Sequence, residues 1–141
     1  MSLQSLEAKV RRRAVNRCEY CHLPQAAFRR PFHIEHIIAR QHGGSTSMEN
    51  LALACWVCNL KKGTNLSAID PETNQMVRLF DPRKDIWEEH FSIHSSGSMR
   101  DGLEIRGLTT QGRATVRLLG MNDDMRQAVR FQLWVERLFP A

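Results

Sequence analysis

The sequence predicts an α+β domain built around a metal centre, on three observations. The four cysteines stand as two C-x-x-C pairs, Cys18/Cys21 and Cys55/Cys58, with 33 residues between the pairs. Between the pairs lie two short apolar runs bounded by breakers, which is strand patterning. Outside them, before Cys18 and again toward the C-terminus, apolar residues recur at helical spacing. Two C-x-x-C knuckles supply four thiolates, and four soft ligands at about 2.3 Å suit a tetrahedral structural Zn²⁺. A redox dithiol needs only one such pair and a βαβ setting, and neither pair has that setting.

Taken in order, Leu3, Leu6, Val10 and Ala14 fall on one helical face, with Arg11, Arg12, Arg13 and Arg17 mostly elsewhere. This predicts a basic amphipathic helix running into the first knuckle. Residues 22–31 read as a loop ending at Pro31, and Phe32 to Ala39, rich in isoleucine, as a strand. Gln41 to Ser47 is a turn-rich connection containing Gly43-Gly44. Leu51 to Ala54 reads as a second short strand, after which the second knuckle opens a brief helix near Val57–Lys62. Asp70 to Asn74 is a turn and Met76 to Phe80 a strand. Residues 86–94 and 103–108 have strand character, separated by the loop Ser95 to Met99. Thr109 or Thr110 caps a helix that reaches Leu119 and stops at Gly120. Asn122 caps the last helix, with Asp123 and Asp124 complementing its dipole. On that helix Ala128, Phe131, Val135 and Leu138 share a face widened by Trp134, which predicts core packing rather than a helix-turn-helix. No linker divides the chain. The expectation is a single domain over 1–141, with a zinc-centred core at 18–63 and an accessory segment at 64–141 packed on it.

With 42% hydrophobic and 25% charged residues among 141, the composition is that of a folded protein and excludes a disordered or low-complexity chain. The longest apolar run, Leu51 to Cys58, is eight residues, far short of the roughly 20 a membrane span needs. The N-terminus has no apolar signal-peptide core, so a cytoplasmic location is expected, where thiols stay reduced. The formal net charge is +5, which four thiolates on Zn²⁺ would lower to about +3. It is unevenly spread: residues 1–64 carry ten basic and four acidic side chains, residues 65–141 ten and eleven. A basic half beside a neutral one points to a polyanion partner, nucleic acid first.

The chemistry-bearing stretch is His33-Ile-Glu-His36, then Asn50, then Cys55-Trp-Val-Cys-Asn59 with Lys62. Hydrolysis of a phosphodiester needs a deprotonated water, neutralised phosphoryl oxygens and help for the departing oxygen. A histidine with an ordinary pKa near 6.5 takes a proton from water at neutral pH, so His36 is the candidate general base. A hard divalent cation acts as Lewis acid and prefers oxygen ligands; Glu35 offers a carboxylate and Asn59 a neutral side-chain oxygen. In a regular strand Glu35 and His36 point to opposite faces, so both serve one site only at a strand end or bulge. His33 shares the strand face of Glu35 and is read as packing, with an extra metal ligand as the alternative; His42 is read as exposed loop, and His90 and His94 as surface or core.

The ensemble Glu35-His36, Gly43-Gly44, Asn50-Leu51 and Cys55-x-x-Cys58-Asn59-x-x-Lys62 resembles the HNH endonuclease family. The segment from Leu79 to Val116 is similar to the tail of small stand-alone bacterial members. The resemblance implies a ββα-metal finger and metal-dependent cleavage or nicking of DNA. It puts Glu35 and Asn59 on a catalytic Mg²⁺ or Mn²⁺ and makes Asn50 the residue that orients His36. The zinc of Cys18, Cys21, Cys55 and Cys58 is then structural, because four thiolates leave no open position. Arg11, Arg12, Arg13, Arg17, Arg40, Lys61 and Lys62 are the candidate contacts to the nucleic-acid backbone. The family's acid is more often Asp, so Glu35 is one methylene longer. Two alternatives stand beside the nuclease: a non-catalytic zinc-dependent nucleic-acid-binding module, and an interaction domain whose acidic 65–108 segment docks a protein.

Overall fold

A computed structural model describes residues 3–95 and 102–140. It is mixed helix and strand, as expected for an α+β chain, and its contacts cluster into two compact units. The first is Met1–Leu66 with Asp81–Asp85; the second is Ser67–Phe80 with Ile86–Ala141. Among the described residues no helix is long and apolar enough to cross a membrane.

The first unit opens with α1 (Leu3–Arg13), whose last turn carries Arg11, Arg12 and Arg13 against the negative end of the helix dipole. Val10 is buried, whereas the Leu3 side chain lies outside the described residues. The helix does not run into the knuckle. Val15 and Asn16 both adopt left-handed φ, 53° and 51°, and turn the chain back toward Cys18. Strand β1 covers only His33–His36, half the expected length, because at Ile37 and Ile38 the chain leaves β2 and enters a short 3-10 turn, Arg40–His42. It pairs antiparallel with β2 (Leu51–Ala54), His33 opposite Ala54 and His36 opposite Leu51. Helix α2 (Trp56–Lys62) follows at once. Every residue of β2 is buried, and with Val10, Tyr20, Leu23 and Phe32 it forms the core of this unit. The expected strand, turn, strand and helix are therefore all present, with only the first strand shortened.

The second unit begins with a hairpin not foreseen in full. Strands β3 (Ser67–Ile69) and β4 (Met76–Arg78) are antiparallel and flank the expected Asp70 turn. Asp70 accepts from the backbone of Glu72 and Thr73 and from the Thr73 hydroxyl. The Arg113 guanidinium also holds it through two bonds of 2.9 Å. Residues Trp87–His90 form a helical turn, α3, rather than strand, with Glu88 and Glu89 in its first turn. Strands β5 (Phe91–Ser95) and β6 (Leu103–Gly107) pair antiparallel; beyond Ser95 the loop expected to reach Met99 lies outside the described residues. Helix α4 (Thr110–Leu119) is capped by the Thr109 hydroxyl and closed by left-handed Gly120, as its sequence predicts.

Helix α5 (Asp124–Val135) departs from expectation twice. Its cap is Asp123, which accepts from the Arg126 N–H; the Asn122 side chain instead bonds the backbone N and O of Ile105 on β6. The expected apolar face is turned outward: Ala128 is exposed and Phe131 half-buried, while Trp134, Val135 and Leu138 are 52%, 55% and 55% exposed. Its buried residues are Arg126, Arg130 and Leu133. Arg126 donates to the carbonyls of Leu119 and Gly120, where α4 leaves acceptors without helical partners. Arg130 donates to Leu103 and Met121 carbonyls at 3.1 and 2.5 Å.

The Arg113 guanidinium holds the Asp70 carboxyl well below the usual carboxylate range, against the opposing pull of burial. A depressed folded-state pKa contributes stability that is complete above the unfolded value of about 4 and is lost as pH falls through the folded value. Asp70→Asn should therefore destabilise the chain at pH 7, with a gap to wild type that closes in urea melts as pH is lowered toward 2. A gap independent of pH would contradict the assignment.

Candidate metal centre and adjoining cleft

The four cysteines converge although their pairs are far apart in sequence. Their Sγ atoms all lie within 4.8 Å of one another and all four residues are buried. Four thiolates at about 2.3 Å around a tetrahedral ion are separated by roughly 3.8 Å, and Cys21 Sγ lies 3.7 Å from Cys55 Sγ. Each knuckle also points a backbone N–H at its own first sulfur, Cys21 to Cys18 and Cys58 to Cys55, both at 3.4 Å. Burial pushes the Cys18 and Cys58 thiols up, and a cation bound among the four sulfurs would offset that cost by holding them as thiolates. The geometry and donor set fit a structural metal such as zinc.

Beside this centre Glu35, His36, Arg40 and Asn59 line one open cleft of about 330 Å³. Glu35 and His36 are consecutive, and β1 ends at His36, so both line the cleft from the end of the strand. Asn59 comes from α2, placed by the Cys55 cap that starts that helix. His36 is half-buried, and its Nε2 lies 2.8 Å from the Thr46 hydroxyl. Partial burial, reinforced by Arg40 and Lys62, lowers its pKa and favours the neutral ring at pH 7.

Glu35 is 5% exposed. Oε2 pairs with the Lys62 ammonium at 3.3 Å, and Oε1 accepts from the Tyr20 hydroxyl. Burial pushes the carboxyl up, while Lys62 and Tyr20 pull it down. Burial and the nearby carboxylate push the Tyr20 phenol well up, so it stays protonated and donates.

Other predicted site residues are placed differently. Asn50 Oδ1 accepts from the Ile38 N–H at 2.9 Å; Nδ2 donates to the Ile38 and Ser45 carbonyls at 2.9 and 2.8 Å. Its whole amide closes the loop, and the ring partner found at His36 is Thr46 in its place. Gly44 explains why that loop admits no side chain: a Cβ there would sit 1.7 Å from the Ile38 carbonyl oxygen.

Lys62 is 2% exposed and donates to the Ile37 carbonyl at 2.8 Å, so it is an internal strut and not a contact to phosphate. Arg13 donates to the carbonyls of Met48 and Leu51 at 2.7 and 2.6 Å, Arg11 to Phe32 and Arg17 to His22. These three join the helix and knuckle to the rest of the unit. Arg12, Arg40 and Lys61 are exposed, as are His33 and His42. Sequence reasoning missed Tyr20 and Thr46. The position of Tyr20 inside the first C-x-x-C was a usable signal; a threonine in a polar loop was none.

Cys58→Ser removes one of four converging ligands and leaves a buried hydroxyl beside three thiols. Zinc content should fall well below one per chain. Stability should drop by more than about 3 kcal/mol, a minor share of the ~10 kcal/mol or more that structural zinc supplies to small domains. Elemental analysis and denaturant melts measure both, and a zinc-free variant that melts like wild type would sink the structural-metal assignment.

No curated protein and no solved structure matches the chain. A family model described as HNH endonuclease matches residues 18–65, the span that holds both knuckles, β1, β2 and α2. That family acts on nucleic acids and its members are generally nucleases. Residues 18–65 of this chain thus match the HNH endonuclease domain.

Proposed function

We propose that the protein is a metal-dependent endonuclease that cuts or nicks DNA. The observation that carries this reading is the shared cleft: a neutral-leaning histidine, a carboxylate and a side-chain amide around one opening, with exposed Arg40 at its edge.

His36 is the general base. If its Nε2–H donates to the Thr46 hydroxyl 2.8 Å away, the ring is held in one tautomer and Nδ1 is left to take the proton of the attacking water. The new bond forms between water oxygen and phosphorus as the ester bond to the leaving oxygen breaks. Glu35 and Asn59 offer oxygen donors that suit a hard cation, and Mg²⁺ or Mn²⁺ bound there would neutralise the scissile phosphate and the departing oxygen, which then takes a proton from solvent water. Arg40, Lys61 and Arg12, exposed members of the basic set, hold the backbone without reading sequence. The four thiolates need a reducing compartment, which favours the cytoplasm.

Supercoiled plasmid with Mg²⁺ or Mn²⁺, wild type beside His36→Ala, tests the reading. Wild type should convert supercoiled to nicked circles, and the variant should be slower by at least about 10²-fold, the usual contribution of a positioned base. Zinc content and salt-sensitive DNA binding should be retained in both. DNA binding without nicking by wild type would favour the binding-module alternative; equal nicking by the variant would remove His36 as base.

A further inference from the structure

Tyr20 sits between Cys18 and Cys21 and is fully buried, yet its hydroxyl leaves the knuckle to bond Glu35 Oε1. The opposite oxygen, Oε2, is held by Lys62 from the last turn of α2, which begins inside the other knuckle. Both grips on the carboxylate thus start from segments that the four cysteines clamp together. Glu35 lines the cleft but is only 5% exposed, and its three side-chain torsions leave several rotamers open unless both oxygens are held. A phenol is a rigid arm with only two side-chain torsions, and its hydroxyl reaches where a backbone N–H of the knuckle does not. A ligating carboxylate retains lone pairs for a cation while accepting such a bond, and partners of this kind set the orientation of the ligand.

We infer that Tyr20 is a positioning residue: through its hydroxyl the zinc knuckle fixes Glu35 in the rotamer that receives the divalent cation of the cleft. The inference rests on the nuclease reading only in taking Glu35 as a ligand, and can be tested without catalysis. Tyr20 is the only tyrosine in the chain, so uniform 3-fluorotyrosine labelling of the wild-type, zinc-loaded protein gives a single ¹⁹F resonance that reports the phenol alone.

Titration with Mg²⁺ should shift that resonance along a saturating curve, and Glu35→Gln should abolish the shift while zinc content stays at one per chain. Tyr20→Phe, which removes one oxygen and keeps the ring, should weaken Mn²⁺ binding in calorimetry by at least about ten-fold, the usual cost of losing such a partner. Its zinc content should match wild type. A fluorine resonance indifferent to Mg²⁺ in a protein that nicks plasmid, or Mn²⁺ affinity unchanged in Tyr20→Phe, would overturn the inference. A saturating shift in a wild type that cuts nothing would uphold it and overturn the nuclease reading instead.

Discussion

Four sulfurs brought within 4.8 Å of one another in a buried site cannot all carry negative charge unless a cation sits among them. That electrostatic demand acts on the first unit beside its small apolar core. The cysteines come from two segments separated by the β1–β2 hairpin, so one ion bound there would join the loop before the hairpin to the helix after it. Cys55 is at once a thiolate and the cap of α2. The same residue that anchors the centre therefore sets where the helix starts, and through it where Asn59 and Lys62 stand. Without the centre, two four-residue strands and a seven-residue helix fall well short of the size at which such elements persist unaided.

Much of this unit was legible in the sequence because its signals are local and chemical. Cysteine spacing, the Gly-Gly turn and the short Ile-rich and Leu-Ala runs each name a structure without reference to distant residues. Asn50 shows the limit of that legibility. An asparagine at a turn signals its own importance but not its partners. Only the folded loop reveals that both ends of its amide are taken by main-chain groups of Ile38 and Ser45. Lys62 was misread for a similar reason, since a lysine in a basic segment looks solvent-directed until a buried carboxylate is known to face it.

The second unit was harder to read because charge and burial part company there. Apolar periodicity on α5 selected Ala128, Phe131, Val135 and Leu138, a pattern that ordinarily marks the inner face. The structure turns Arg126 and Arg130 inward instead, for carbonyls at the end of α4 and along β6 must be satisfied. A fork of five N–H donors meets that need better than any apolar side chain. Residues 86–90 show the opposite failure: Ile86 and Trp87 have strand propensity, but Trp87 opens a helical turn with Glu88 and Glu89 in it.

The inward arginines also invert the usual pattern of mutational tolerance. A packed apolar core tolerates an exchange of like for like on either side of a contact, because shape and volume are what each partner supplies. Here one side of the contact is main chain. Exchanging Leu119 for methionine leaves the acceptor oxygen where it was. Exchanging Arg130 for lysine removes the planar fork that spans two carbonyls on different segments. Across variants of this chain, positions 126 and 130 are thus the fixed points of the second unit, and the leucines around them the adjustable ones.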